Sequence, residues 1–477
     1  MTERISKGFL IGAAIICSLP LLFLFAYSRP GYFSVTNVGA LLAFESLIGA
    51  ICLYRRVFFP IIVLSFLGAG SNLPAGGMWM AGRWVALGVG AAVGLFIMLK
   101  EREDGFGQFH LLATFCILAA LVSAAVSHYQ SLAFLKALSL FLLFLYASTG
   151  ARLAVAHREN RFFEGLLLGV EIVVGFMAGF YAVGIEALGN PNSLGAVMGV
   201  VAVPILLWGA LLDDGSFARR RRLVLYVLAM YLTFHSHSRA GLAAAFVSSV
   251  VLCLALRQYK LLGRGVVALI IIVTSSAIFN PDAFSKFVST LNDSVLYKGH
   301  DPGLGVFASR QSPWEGAMQS IHRHFWFGSG FGTTDNGQDA SDKLDKYSDL
   351  ATPEGVTSEN GSSYLSILSW VGVLGVFPFA LLLLSVIAKI LRTLVWMVRT
   401  RNPNHPAVPL AMVLLAGILH AGFEDWLFAV GYYLCVFHWC LAFMLADYVP
   451  SAELPRFSHR WTPKPMRRLF GAAALSR

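Results

Sequence analysis

Apolar residues in this chain come in long continuous runs, separated by short polar or basic connections, and the runs lack the alternation of a half-buried strand. A hydrocarbon layer about 30 Å thick takes about 20 residues of helix to cross, so continuous runs predict membrane-spanning helices rather than barrel strands. They fall at about 8–27, 35–54, 57–70, 79–99, 109–127, 131–149, 163–185, 193–212, 223–238, 240–256, 264–279, 363–388, 407–423 and 427–447. This predicts an all-α polytopic membrane protein with about fourteen transmembrane helices, or twelve to thirteen if the short run at 57–70 is re-entrant. The chain divides into a first helical part at 1–279, an interruption at 280–362, a second helical part at 363–447 and a basic tail at 448–477.

The interruption is rich in Asp, Glu, Gly, Pro and aromatic residues, unlike a flexible linker. An unstructured loop of that length is unusual in a compact protein, so 280–362 reads as a large external loop forming a small helical cap. Within it "SRQSPWEGAMQSIHRHF" (309–325) predicts a helix with Pro313 near its first turn, followed by a glycine-rich loop, "GSGFGTTDNG" (328–337). Glycines in such a loop serve either backbone geometry or a phosphate cradle, and the missing strand-to-helix context favours geometry.

Composition supports the membrane reading, with 57% hydrophobic and 13% charged residues against roughly 25% charged in soluble domains. The net charge of +10 is a topological signal, not one for nucleic acid. With the amino terminus cytoplasmic, the basic residues fall on alternate connections: Arg4 and Lys7, Arg55 and Arg56, Lys100 and Arg102, Arg152 to Arg161, Arg219 to Arg222, Arg257 to Arg264, Lys389 to Arg401, and the tail. Both termini are therefore expected in the cytoplasm and the 280–362 loop outside. The first run has no small-residue cleavage site, which predicts a retained helix. All six cysteines fall within predicted spans, so neither a disulfide framework nor a cysteine metal site is expected. No internal repeat stands out.

Against that topology, several cations lie on the wrong side. Arg239 stands at the external end of a span, Arg83 near the external start of another, and Lys136 about one turn inside a third, while Arg310 and Arg323 come from the loop. Arg29 reads as a residue snorkelling at the interface, but cations within apolar spans call for an anionic ligand or a polar partner. Two readings stay open. A diphosphate at the outer leaflet suits forked guanidinium hydrogen bonds and a lysine point charge, each charge pair at 4 Å contributing about 4 kcal/mol before desolvation. Internal ion pairing is the other, with Glu45, Glu171, Glu186 and Glu424 as candidate partners. His235 and His237, two residues apart, do not share a helix face, and His322 and His324 lack a third ligand, so no metal or other cofactor is expected. Gly241, Ala243, Ala244, Ala245, Ser248 and Ser249 predict a small-residue face for close helix packing.

Four passages, "VSHYQSLAFLKALSL" (126–140), "GNPNSLGA" (189–196), "SHSRAGLAA" (236–244) and "HFWFGSGFGT" (324–333), follow in an order that resembles the bacterial O-antigen ligase and polymerase superfamily, and the late external loop among many helices extends the likeness along the chain. The resemblance implies a bacterial inner-membrane glycosyltransferase of surface polysaccharide biosynthesis with a periplasmic active site. Its donor would be a glycan carried on undecaprenyl diphosphate, and its acceptor a second lipid-linked glycan or lipid A core. It assigns diphosphate handling to Arg239 and Arg310. Where such ligases carry His-Asn as the loop returns to the membrane, this chain has Glu359 and Asn360, in "TSENGSSYLSILSWVGVLGV". In that place Glu359 would accept the proton of an acceptor hydroxyl and Asn360 would orient it, although a carboxylate before a helix is also favoured by the helix dipole. Arg83, Lys136, His324 and Glu424 complete the expected substrate-binding set, and Trp314, Trp326 and Tyr364 offer faces for sugars or for the membrane interface. A lipid flippase or a protein-glycosylating relative remains the alternative, although binding groups at the external edge are unlike a transporter's midplane site.

Overall fold

A computed structural model describes residues 47–72, 76–101, 106–188, 191–212, 215–290, 308–333 and 361–450. The first predicted span, most of the second, much of the cap, the tail beyond 450, Arg29, Glu45, Glu359 and Asn360 lie outside the described residues.

Every regular element among the described residues is helical: α1 (Tyr54–Ala69), α2 (Gly76–Glu101), α3 (Gln108–Val126), α4 (Gln130–Val155), α5 (Glu159–Ala182), α6 (Asn192–Leu211), α7 (Ser216–His235), α8 (Arg239–Ala255), α9 (Tyr259–Phe279), α10 (Pro281–Thr290), α11 (Ala308–Arg323), α12 (Ser363–Thr400), α13 (Ala407–Ala421) and α14 (Tyr433–Tyr448). Seven of these, α2, α3, α4, α5, α6, α9 and α12, are long and apolar enough to cross a membrane, and α8, α13 and α14 are shorter apolar helices. The short helices form the middle of the bundle. α13 and α14 bury nearly every side chain from Ala407 to Ala421 and from Tyr433 to Leu445, as expected of helices apolar all round.

Several boundaries differ from the apolar pattern for identifiable reasons. The run at 363–388 continues as helix to Thr400, because Ile390, Thr393 and Met397 keep a buried stripe on the bundle beyond the hydrophobic segment. The helix expected from 223 starts at Ser216, since Arg222 is not a loop cation: it is fully buried, bonded to Gly209 O (2.7 Å) and paired with Glu171 (3.3 Å). Arg221 shares the same carboxylate at 2.8 Å. Glu171 was a candidate partner for the external cations, and the structure gives it to α7 instead, because α5 and α7 pack side by side. The run at 427–447 becomes helix only at Tyr433, leaving 422–432 as a connection that matters below.

Glycine governs how α6 meets α8. A methyl group on Gly195 would fall 2.3 Å from Ser238 Cβ, one on Gly199 2.4 Å from Gly241 O, and one on Gly241 2.6 Å from Gly195 O. The backbones are in contact, the outcome that small residues four apart permit in a membrane bundle. At this crossing α6 takes a π-helical turn, Val197–Ala202, which contains Gly199. Gly241, Ala244, Ala245, Ser248 and Ser249 of α8 are buried, as the small-residue pattern predicts, but Ala243 is exposed and belongs to another face. Gly199→Val is expected to lower the melting temperature of the purified protein by several degrees, overpacking of a tight core costing about 1–3 kcal/mol. Gly175→Ala in α5, where a methyl group has open space, is the control expected to leave it unchanged.

Candidate functional site

The sequence "HSHSRAG" forms a tight turn between two helices. α7 ends at His235, His237 takes a left-handed φ of 53°, and Ser238 caps α8 by accepting a hydrogen bond from Gly241 N at 3.2 Å. Arg239 is thereby the first residue of α8, half-buried at the end of the bundle. Its charge is repelled by Arg310 and attracted by Glu424, so these three residues, far apart in sequence, share one site.

Arg310 lies in the first turn of α11 and forms an ion pair with Glu424, each side chain 14% exposed. The predicted common face of Arg310 and Trp314 is observed. Gly361 sits against both: a methyl group on it would lie 3.4 Å from Arg310 Nη1, and its carbonyl accepts from Trp314 Nε1 at 3.4 Å. Gly361 follows Asn360 directly and Glu359 by two positions. Glu424 is placed by Ser363, whose hydroxyl donates to Glu424 O (2.7 Å) and accepts from the amides of Trp426 (3.0 Å) and Leu427 (3.1 Å).

The glycine-rich loop is structural, and the break in α12 explains it. Gly372 has φ 67°, ψ −177° inside the helix. The amides of Val373 and Leu374 therefore lose Ser369 O and Trp370 O as partners and donate instead to Phe325 O (2.8 Å) and Trp326 O (3.2 Å), while the two freed carbonyls accept from Ser329 N (3.0 Å) and Gly330 N (3.1 Å). Two helical hydrogen bonds have become four to the loop. In apolar surroundings every backbone group must be satisfied, and here the loop does it. Close approach demands the glycines. Gly328, Gly330 and Gly332 have φ of 76°, 116° and 71°, and a methyl group on Gly328 would lie 2.1 Å from Trp370 O. Phe331 is buried against Trp370 and Phe379, and Lys136 Nζ donates to Gly332 O. Lys136 thus holds the loop, with Asp425 acting on its charge. The carbonyl of His324 accepts from Gly328 N at 2.9 Å, so His324 opens this loop.

Arg83 lies on α2 beneath the same connection. It donates to Gly431 O at 2.8 Å and its guanidinium lies 5.1 Å from the Trp84 ring centre and 5.7 Å from that of Phe66. Next to Gly431, the Tyr433 hydroxyl donates to Ser193 O (2.9 Å) and contacts that of Tyr432 (2.9 Å), tying the connection to "GNPNSLGA". The predicted residues therefore separate by role: Arg239, Arg310 and Glu424 come together, whereas Lys136 and Arg83 bind backbone carbonyls of the segments that frame them. Sequence reasoning missed Ser363 and the break at Gly372, whereas Asp425, in "HAGFEDWLF" (420–428), was expected with Glu424 as a partner for the cations and does act on Lys136. A glycine inside a span, in "SWVGVLGV", was the one visible signal for the break. Among the described residues no three His, Cys, Asp or Glu side chains gather as metal ligands.

Fold and site together define an all-helical protein with seven helices long and apolar enough to cross a membrane, a cluster of Arg239, Arg310 and Glu424, and a glycine loop docked into a broken helix. Residues 224–380 match the family model described as O-antigen ligase. That match, over about a third of the chain, supports membership of the O-antigen ligase and polymerase superfamily. The matched segment carries Arg239, Arg310, the glycine loop, Glu359 and the α12 break, whereas Arg83, Lys136 and Glu424 lie outside it. No curated protein matches the chain.

Proposed function

We propose that the protein transfers or polymerises glycan from undecaprenyl diphosphate onto an acceptor sugar at the periplasmic face of the inner membrane. The observation that carries this reading is the convergence of Arg239 on Arg310, which itself lies beside Gly361, the residue after Asn360. Guanidinium groups at that position suit a diphosphate leaving group, whose charge grows as the bond to the sugar breaks.

In this reading Glu359 accepts the proton of an acceptor hydroxyl, its oxygen attacks the anomeric carbon from the face opposite the diphosphate, and the bond from carbon to phosphate oxygen breaks with inversion. Arg239 and Arg310 take the departing negative charge, and Asn360 orients the hydroxyl. Glu424 acts through Arg310, holding its fork in place. The residues named complete the reaction without a metal ion. The acceptor is a second lipid-linked glycan, giving polymerisation, or lipid A core, giving ligation. Exposed Phe325, Trp326 and Phe327 flank the loop where a sugar chain would pass, and aromatic faces suit sugar rings.

The test is transfer by the purified protein from a lipid-diphosphate oligosaccharide to candidate acceptors. Glu359→Gln is expected to lower kcat by about 10²–10⁴-fold, the usual contribution of a general base, with donor affinity unchanged. Full turnover by this variant would show that the base lies elsewhere.

A further inference from the structure

From the end of the bundle away from Arg239, a cavity of about 270 Å³ runs between α1, α5, α6 and α14. Its two ends differ sharply. Arg55, Arg56, Arg158 and Arg161 line one end, and the described residues that line it include no carboxylate. Glu101 pairs with Arg55, and the Tyr448 hydroxyl donates to Glu159 at 3.1 Å. Arg56, Arg161 and Arg55 each repel the charge on Arg158, which donates to the carbonyl of Arg55 at 2.7 Å. Topology accounts for arginines on this side of the membrane, but not for their convergence on a cavity. From there the walls are apolar: Phe59, Val63 and Leu67 recur every four residues along α1, facing Leu166 and Val170 of α5. From Arg55 to Leu67 a helix rises about 18 Å, roughly half of a hydrocarbon core of about 30 Å. Gly165 and Gly169 line the same wall, and a methyl group on either would meet nothing within 4 Å.

We infer that this cavity binds an anionic phospholipid, its phosphodiester head held by Arg56, Arg158 and Arg161 and one acyl chain lying between α1 and α5. Charge decides the occupant. A basic pocket between membrane helices suits an anionic headgroup, whereas the end of a polyprenyl tail is uncharged and gains nothing from guanidinium groups. This site is separate from the proposed glycan-transfer mouth and stands whether or not that reading holds.

The test is native mass spectrometry of the full-length protein with phosphatidylglycerol and phosphatidylcholine of identical chains. Wild type is expected to retain phosphatidylglycerol preferentially. The Arg56→Gln/Arg158→Gln/Arg161→Gln variant is expected to bind it about a hundredfold more weakly, each cation near an anionic headgroup contributing about fivefold. Gly169→Leu, which fills the groove at a position with open space, is expected to lose both lipids while remaining folded. Equal retention of the two lipids, preference surviving the triple substitution, or undiminished binding by Gly169→Leu would overturn the site. Competition by inorganic phosphate alone would overturn it in favour of an ion site, and competition by uncharged polyprenol would assign the groove to the donor's tail.

Discussion

Arg310→Ala is expected to destabilise the protein by about 1–3 kcal/mol, because the largely buried Glu424 loses its ion-pair partner and keeps only the attraction of Arg239. The effect spreads from there. Glu424 O is tied to Ser363, and Ser363 also holds the amides of Trp426 and Leu427, so the start of α12 and the 422–432 connection are expected to loosen together. A change in activity of this single variant would therefore not separate binding from folding. Arg310→Met/Glu424→Met does so. Replacing both members of a buried pair with apolar groups of similar size is commonly neutral or stabilising, so the double variant is expected to melt close to wild type and still fail to transfer glycan. Thermal unfolding of both variants, followed by the transfer assay on the double variant, checks the two halves of the expectation.

Gly330→Val is the second large effect, and its target is the broken helix. A β-branched residue at φ 116° is strained in any surroundings, and its Cβ would lie 2.1 Å from Ser127 Oγ. Displacing the loop strips Ser369 O of its donor and Val373 N and Leu374 N of their acceptors, while Trp370 O keeps only the Ser123 hydroxyl, each unsatisfied buried group costing about 1–3 kcal/mol. The expected result is a protein that does not reach the wild-type peak in size-exclusion chromatography. Gly316→Ala, on α11 where a methyl group has open space, is expected to elute as wild type.

The helical class was legible because a membrane allows few backbone solutions, and continuous apolar runs announce helices directly. Boundaries were less legible. α12 runs on to Thr400 and α7 begins at Ser216 because residues outside the apolar run, Met397 and Arg222 among them, find buried partners, which composition along one helix does not report. At the site, cations out of place drew attention to Arg239, Arg310, Lys136 and Arg83 together, but charge alone does not say which of them face one another. Lys136 and Arg83 are occupied with backbone carbonyls, and Glu171 of α5 is paired with Arg221 and Arg222 of α7. The glycines of 328–332 and Gly372 lie some forty residues apart, and only the fold shows that one set exists for the other. Glu359 and Asn360 enter the account through sequence and through the position of Gly361.

The most direct measurement of the central claim is the affinity of the purified protein for a lipid-diphosphate oligosaccharide, wild type against Arg239→Gln. Arg239 begins its helix, and Glu424 keeps Arg310 when it is replaced, so the fold is expected to survive. Losing a charge-assisted contact to the diphosphate is expected to weaken binding by about tenfold or more, with the same glycan on an uncharged lipid binding both proteins equally. An unchanged Kd for the diphosphate donor in a folded Arg239→Gln protein would contradict the account.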